Sequence, residues 1–118
     1  MAMSEHFDVL IVGAGISGIG SAYHLKQQCP DKSFVVLEAL ESFGGTWLMH
    51  TYPGVRSDSD LHTFGYRFKP WIGPPIATAA EILDYVGDVI AESDLAPHIR
   101  YHHKITSASF SRETNLWT

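Results

Sequence analysis

The sequence contains little cysteine and no long apolar run, and both absences narrow what the protein can be. Cys29 is the single cysteine among 118 residues, so no internal disulfide can form and a reducing compartment such as the cytoplasm is favoured. No apolar run reaches the ~20 residues that a membrane span requires, and the apolar stretch Phe7–Val12 is too short for a signal peptide. Membrane association is therefore not indicated.

Positive charge is also scarce. The chain has 8 Lys and Arg against 13 Asp and Glu, a formal net charge of −5, which argues against nucleic acid as a partner because phosphate binding needs clustered basic residues. The 7 histidines show no metal-ligand spacing, and His102 and His103 are adjacent in a predicted strand, so they point to opposite faces. We therefore expect no metal site. With 45% hydrophobic residues, the composition is that of one globular domain or part of one.

A glycine-rich turn follows the first apolar stretch, which we expect to form a strand buried on both faces. Gly13 allows a sharp turn, Gly15 lets a pyrophosphate approach the main chain, and Gly18 lets the following helix pack closely on the strand. The helix presents unpaired N–H groups and the positive end of its dipole to the phosphates. This arrangement predicts a dinucleotide site.

Glu38 supplies the second half of that pattern. It ends the apolar stretch Ser33–Leu37, which we expect to be a strand parallel to the first through a right-handed crossover. A carboxylate there can accept hydrogen bonds from the ribose hydroxyls of an adenosine and would repel a 2′-phosphate. The site should therefore take FAD or NAD rather than NADP.

The rest of the chain predicts an incomplete α/β domain of the Rossmann-like βαβ type, with a helix and a small β-hairpin region after the second strand. Two strands of the central sheet are recognisable. The sequence stops as an apolar strand begins, so we expect a truncated chain. The remaining predicted elements are a helix from Ser17 to Gln28, a loop over 41–78, a helix over Ala79–Glu92, one strand from Ile99 through His102, another over Ile105–Phe110, a turn over Arg112–Asn115 and a last strand from Leu116.

The long loop carries further residues suited to a cofactor. Gly44 and Gly45 permit another close backbone approach, and Trp47 and Tyr52 offer flat apolar surfaces for a ring system. Asp58 is a carboxylate in the same loop. Taken singly, the glycine pair is compatible with a plain turn and Asp58 with a solvated aspartate.

Together these residues resemble the class B flavin-dependent monooxygenases, the group of Baeyer–Villiger and flavin-containing monooxygenases. The resemblance covers essentially the whole chain and depends on the segments GAGISG, LEALESFGGTW, YPGVRSDSD and FGYRFKPW. It implies that this chain is the N-terminal part of an FAD-binding domain, over 1–118, and that the NADPH-binding domain and the C-terminal part of the FAD domain are absent from it.

The resemblance also implies roles for individual residues. It places Asp58 beside the flavin as the catalytic residue, with Arg56 and Ser57 near the nicotinamide cofactor. The residues implied in FAD binding are Gly13, Gly15, Ser17 and Gly18 at the pyrophosphate, Glu38 at the ribose, Gly45, Thr46, Trp47 and Leu48 towards the isoalloxazine, and Ile105 at the adenine.

The implied activity is that of an FAD enzyme using NADPH and O₂, which inserts one oxygen atom into a small organic substrate (a ketone, a sulfide or a long-chain hydrocarbon) through a peroxyflavin. Two alternatives remain open. The glycine turn and Glu38 also suit another FAD- or NAD-dependent oxidoreductase, either an oxidase or a dehydrogenase. A non-catalytic dinucleotide-binding module would carry the same motif.

Overall fold

The structure is a computed structural model that describes residues 4–118, and its first three elements are a strand, a helix and a strand. Its elements in chain order are β1 (Val9–Val12), α1 (Ile16–Gln28), β2 (Phe34–Leu37), α2 (Thr46–Met49), α3 (Leu61–Phe64), α4 (Ala79–Glu92), a 3₁₀ turn (Ala96–His98), β3 (Ile99–Arg100), β4 (Phe110–Ser111) and β5 (Leu116–Trp117).

The main sheet is parallel and three-stranded, in the order β1-β2-β3. Val9 pairs with Phe34, and the register continues to the carboxyl ends of both strands. The sequence predicts a strand from Ile99 but only two strands for this sheet; the structure adds β3 as the third strand, which is two residues long and pairs with β2 through Val36 and Ile99. The expected extension of β3 to His102 is wrong, since His102 has a φ of 57°, which is incompatible with a strand.

The expectation that β1 is buried on both faces is wrong for one face. Val9 and Ile11 pack on the core that α1 and α4 help to form. Leu10 and Val12, on the other face, are 49% and 71% exposed because β1 is the edge strand and no helix among residues 4–118 covers them. They line a groove of about 790 Å³ between the sheet and the C-terminal hairpin.

Helix α4 forms where its apolar stripe predicts it. A capping box starts the helix: the Thr78 hydroxyl accepts a hydrogen bond from Glu81 N (3.2 Å), and Thr78 N donates to the Glu81 carboxylate (3.3 Å). Ile82, Val86 and Val89 then point into the core and are almost fully buried. The helix is therefore firmly anchored at its N-terminus and along one face.

The long loop over 41–78 contains two single-turn helices and is held in place by aromatic rings. Phe68 stacks on Tyr23 of α1 (centroids 3.5 Å apart) and on Tyr66 (4.7 Å), which in turn stacks on Tyr85 of α4 (5.7 Å). Trp71 meets Tyr85 edge-on, and its indole N–H donates to a loop carbonyl 2.8 Å away. We call these five residues the aromatic column, which ties the loop to α1 and α4.

The C-terminal hairpin is present, but one predicted strand is not. β4 and β5 pair antiparallel around the expected turn, so the last apolar stretch is paired within the chain. The strand expected over Ile105–Phe110 is wrong. Residues 104–108 line the groove and have no ladder partner among residues 4–118, so Ile105 lies outside any strand, as do His102 and His103.

Candidate dinucleotide site

The glycine turn leaves β1 and enters α1 in the geometry that an anion site requires. Gly13 has a φ of 98°, which favours glycine, and its N–H donates to Leu37 O at 2.9 Å. Gly15 is the N-cap of α1, and the helix has neither a side-chain cap nor an acidic residue in its first turn. The first N–H groups of this 13-residue helix are therefore free to bind an anion such as a pyrophosphate.

The other glycines of the turn differ in what surrounds them. A Cβ added to Gly18 would lie 1.8 Å from the Gly13 carbonyl oxygen, so this position is glycine for helix–strand packing. A Cβ on Gly15 would meet only the Cα of Gly45, at 3.7 Å, and one on Gly13 would meet nothing within 4 Å. The surface at Gly13 and Gly15 is therefore open to a ligand.

Glu38 is held by the main chain around it. The side chain is 7% exposed, and its two oxygens accept hydrogen bonds from Ala14 N and Leu40 N, each at 2.8 Å. Each carboxylate oxygen has a second lone pair, which can accept a ribose hydroxyl. Burial and, secondarily, the charge of Glu38 raise the pKa of the nearby Tyr101 hydroxyl.

Ala14 joins the glycine turn to a second glycine segment, which consists of Gly44 and Gly45. Its N–H donates to Glu38, and its carbonyl accepts from Gly44 N at 2.9 Å. Gly45 has a φ of 56°, and a Cβ there would lie 3.2 Å from the Cα of Gly15. The two glycine segments therefore pack as one unit. Sequence reasoning missed the role of Ala14: the sequence shows only a small residue between two turn glycines, and its full burial is seen in the structure.

The other residues expected near the flavin ring come directly after Gly45 in the chain and lie on α2. Thr46 is exposed, and Trp47 and Leu48 are half-buried on α2, which packs against α4. Trp47 touches the core. A Cβ on Gly44 would collide with Leu83 of α4 at 2.3 Å, so this backbone lies directly on that helix.

The Asp58 segment is also attached to α4, at its N-terminus. Arg56 forms an isolated antiparallel bridge with Thr78, the N-cap of the helix. Ser57 is buried, whereas Asp58 is exposed. Among residues 4–118, no hydrogen bond or ion pair joins Asp58 to the glycine turn; α4 instead contacts both the segment that carries Asp58 and the second glycine segment.

The two remaining predicted residues lie nearer the first strand. Ser17 is exposed in the first turn of α1. Ile105 is 37% exposed and lines the groove together with Val12, the residue that precedes the glycine turn.

Within the described range 4–118, no three His, Cys, Asp or Glu side chains lie close enough to hold a metal ion together. No helix in that range has the length and apolarity needed to cross a membrane.

A parallel βαβ unit with a glycine turn at an uncapped helix and a buried acid after the next strand defines a dinucleotide-binding domain. Residues 11–72 match the family described as NAD(P)-binding Rossmann-like domain, and the chain belongs to that family.

Curated relatives extend this assignment. The chain is 53% identical over 117 residues to the FAD-containing monooxygenase EthA of Mycobacterium tuberculosis, covering 98% of this chain and 24% of that protein. It is 50% identical over 116 residues to the probable FAD-binding monooxygenase AlmA of an Acinetobacter species, covering 98% of this chain and 23% of that protein. The chain therefore spans about a quarter of the length of these relatives.

Solved structures give the same result for the fold. An oxidized steroid monooxygenase bound to NADP superposes with a TM-score of 0.87 at 34% identity, over 95% of this chain and 22% of that one. A cyclohexanone monooxygenase superposes with a TM-score of 0.85 at 30% identity, over 94% of this chain and 23% of that one. The resemblance to flavin monooxygenases is confirmed.

Proposed function

We propose that this chain is the N-terminal FAD-binding part of an NADPH- and O₂-dependent flavoprotein monooxygenase. The observation that carries the proposal is the pair of bonds at Ala14, which join the glycine turn, Glu38 and the second glycine segment into one site. Any dinucleotide site of this kind needs the glycine turn and the acidic residue. The second glycine segment extends the same surface beyond the ribose. This longer surface suits a dinucleotide that carries a large ring system, as FAD does.

The residues of the chain divide the work of holding FAD. The first-turn N–H groups of α1 and the backbone at Gly13 and Gly15 would hold the pyrophosphate, with Ser17 and Gly18 in the same turn. Glu38 would accept the ribose hydroxyls, and Ile105 would lie towards the adenine. Residues 45–48 would line the path to the flavin ring, where Trp47 supplies a flat apolar surface.

The Asp58 segment completes the proposed site in the full-length enzyme. Asp58 would stand beside the flavin ring as the catalytic carboxylate, with Arg56 and Ser57 towards the nicotinamide of NADPH. Bound FAD supplies the redox chemistry with O₂, by which one oxygen atom enters a small organic substrate. The chain's own residues bind and orient the cofactor and limit access of water to it. We place the protein in the cytoplasm, where its single cysteine would remain reduced.

Cofactor titration tests the proposal. FAD should bind and give the visible absorbance of a flavoprotein. The thermal midpoint should rise with FAD concentration, because FAD at 100 times its Kd stabilises the fold by about 2.7 kcal/mol. Tighter binding of NAD than of FAD would indicate a dehydrogenase instead. NADPH-dependent O₂ uptake by the full-length enzyme separates a monooxygenase from an oxidase and from a non-catalytic module.

A further inference from the structure

Ser57 is one of two buried polar or charged residues in the described core, the other being Glu38. Its side chain is 4% exposed, and its hydroxyl accepts a hydrogen bond from Ala77 N at 3.1 Å. Its own N–H donates to Ala77 O at 2.8 Å. Ser57 and Ala77 are thus joined by two hydrogen bonds across 20 residues of sequence, and we call this pair the Ser57–Ala77 clamp.

Two further hydrogen bonds flank the clamp. Ala79 N donates to Val55 O at 3.0 Å on one side, and Leu61 N donates to Pro75 O at 2.8 Å on the other. The segment 55–61 is therefore fastened along 75–79. Because α4 begins in that second segment and is anchored in the core, the first segment is fixed to a rigid support.

Asp58 lies between the fastened positions and is exposed. Its backbone is consequently fixed on both sides, while its carboxylate is left open to a ligand. The hydroxyl of Ser57 is the only side-chain group in the four bonds, so the sequence controls the clamp at this residue. Without it, the N–H of the fully buried Ala77 loses its acceptor, which favours local rearrangement of the loop.

We propose that Ser57 is a positioning residue: through the clamp it fixes the backbone that carries the carboxylate of Asp58. The inference rests on the proposed role of Asp58 beside the flavin ring. The Ser57 hydroxyl binds Ala77 within the protein. Its effect on the cofactor site therefore comes from holding the Asp58 segment against the start of α4, and not from a direct contact with the cofactor.

The first test measures the clamp itself, in this chain, by amide hydrogen exchange. Ser57→Ala should accelerate exchange at Ala77 by roughly tenfold, the loss of one buried hydrogen bond, and Ser57→Thr, which keeps the hydroxyl, should restore protection. Asp60→Ala is the matched control, because Asp60 accepts a hydrogen bond from His62 N in the same loop at 2.7 Å but does not touch the clamp. Unchanged exchange at Ala77 in Ser57→Ala overturns the inference.

The second test is a double-mutant cycle in the full-length, FAD-loaded enzyme, read as the rate at which NADPH bleaches the flavin absorbance. Ser57→Ala should slow reduction roughly threefold to tenfold at unchanged FAD content, and Ser57→Thr should recover most of the rate. In an Asp58→Asn background, Ser57→Ala should change the rate less than twofold, because its effect passes through the missing carboxylate.

The outcomes separate this inference from the proposed function. If Asp58→Asn leaves the reduction rate unchanged, the proposed role of Asp58 is wrong, and this inference is overturned with it. If Asp58→Asn slows reduction but Ser57→Ala has no effect, or has its full effect in both backgrounds, the role of Asp58 stands and the positioning role of Ser57 is refuted.

Discussion

Alanine at Gly18 should destabilise the fold, whereas alanine at Gly15 should weaken FAD binding and leave the fold nearly unchanged. At Gly18 the new methyl group would lie 1.8 Å from the Gly13 carbonyl oxygen and 2.9 Å from its carbon. Both atoms are backbone, so relief requires α1 to move away from the turn. Overpacking of this kind costs typically 1–3 kcal/mol and occasionally more, and the depth of this overlap places the cost at about 3 kcal/mol.

At Gly15 the same methyl group meets only the Cα of Gly45, at 3.7 Å, an ordinary contact. The residue has a φ of −80°, which alanine adopts without strain. The free energy of unfolding should therefore change by less than about 1 kcal/mol. FAD affinity should fall roughly tenfold to a hundredfold, because the methyl group separates the pyrophosphate from the backbone and removes a charge-assisted hydrogen bond.

Thermal unfolding without FAD, followed by FAD titration of each variant, measures the two effects. Gly18→Ala should lower Tm by roughly 10 °C, the shift that ~3 kcal/mol produces in a domain of this size, whereas Gly15→Ala should leave Tm nearly unchanged. The reasoning is refuted by a Gly18→Ala protein that melts like the original, or by a Gly15→Ala protein that binds FAD equally well.

Three further predictions follow from the same geometry. Glu38→Gln should weaken FAD binding about tenfold, since an amide has only one oxygen to replace the two that accept backbone N–H groups; unchanged affinity in an FAD titration would contradict this. Asp58→Ala should slow NADPH-driven flavin reduction in the full-length enzyme at constant FAD content, whereas Asp60→Ala should not; equal rates in stopped-flow measurements would show that the loop is misassigned. Thr78→Ala should destabilise the fold by about 1 kcal/mol through loss of the capping box with Glu81, measured by urea unfolding, and should leave FAD affinity unchanged.

The elements that sequence reasoning predicted best are those with strong local signals. The helix Ala79–Glu92 has the predicted bounds because its apolar stripe is a local feature of the sequence. β3 was not recognised as part of the main sheet, because a two-residue strand has no periodicity and its pairing with β2 depends on residues far apart in the sequence. The exposure of Val12 was missed for a similar reason: an apolar strand does not reveal which element covers it.

The candidate site also has a part that could be predicted from the sequence and a part that could not. The glycine turn and Glu38 follow a known spacing, so their neighbourhood could be predicted. The hydrogen bond from Ala14 to Glu38 spans 24 residues, and that from Ala77 to Ser57 spans 20 residues. Both join a backbone N–H to a distant side chain, and neither residue pattern nor composition encodes such a pairing.

The aromatic column gives the protein an optical reporter of its own. Trp71 ends the column, edge-on to Tyr85 at 5.4 Å, so its fluorescence should change when the long loop leaves α4. Trp47 lies on α2 beside the proposed flavin path and Trp117 lies in the hairpin. Replacing these two with phenylalanine would leave Trp71 as the single tryptophan, and its emission, excited selectively over tyrosine, could time the docking of the loop separately from the melting of the sheet.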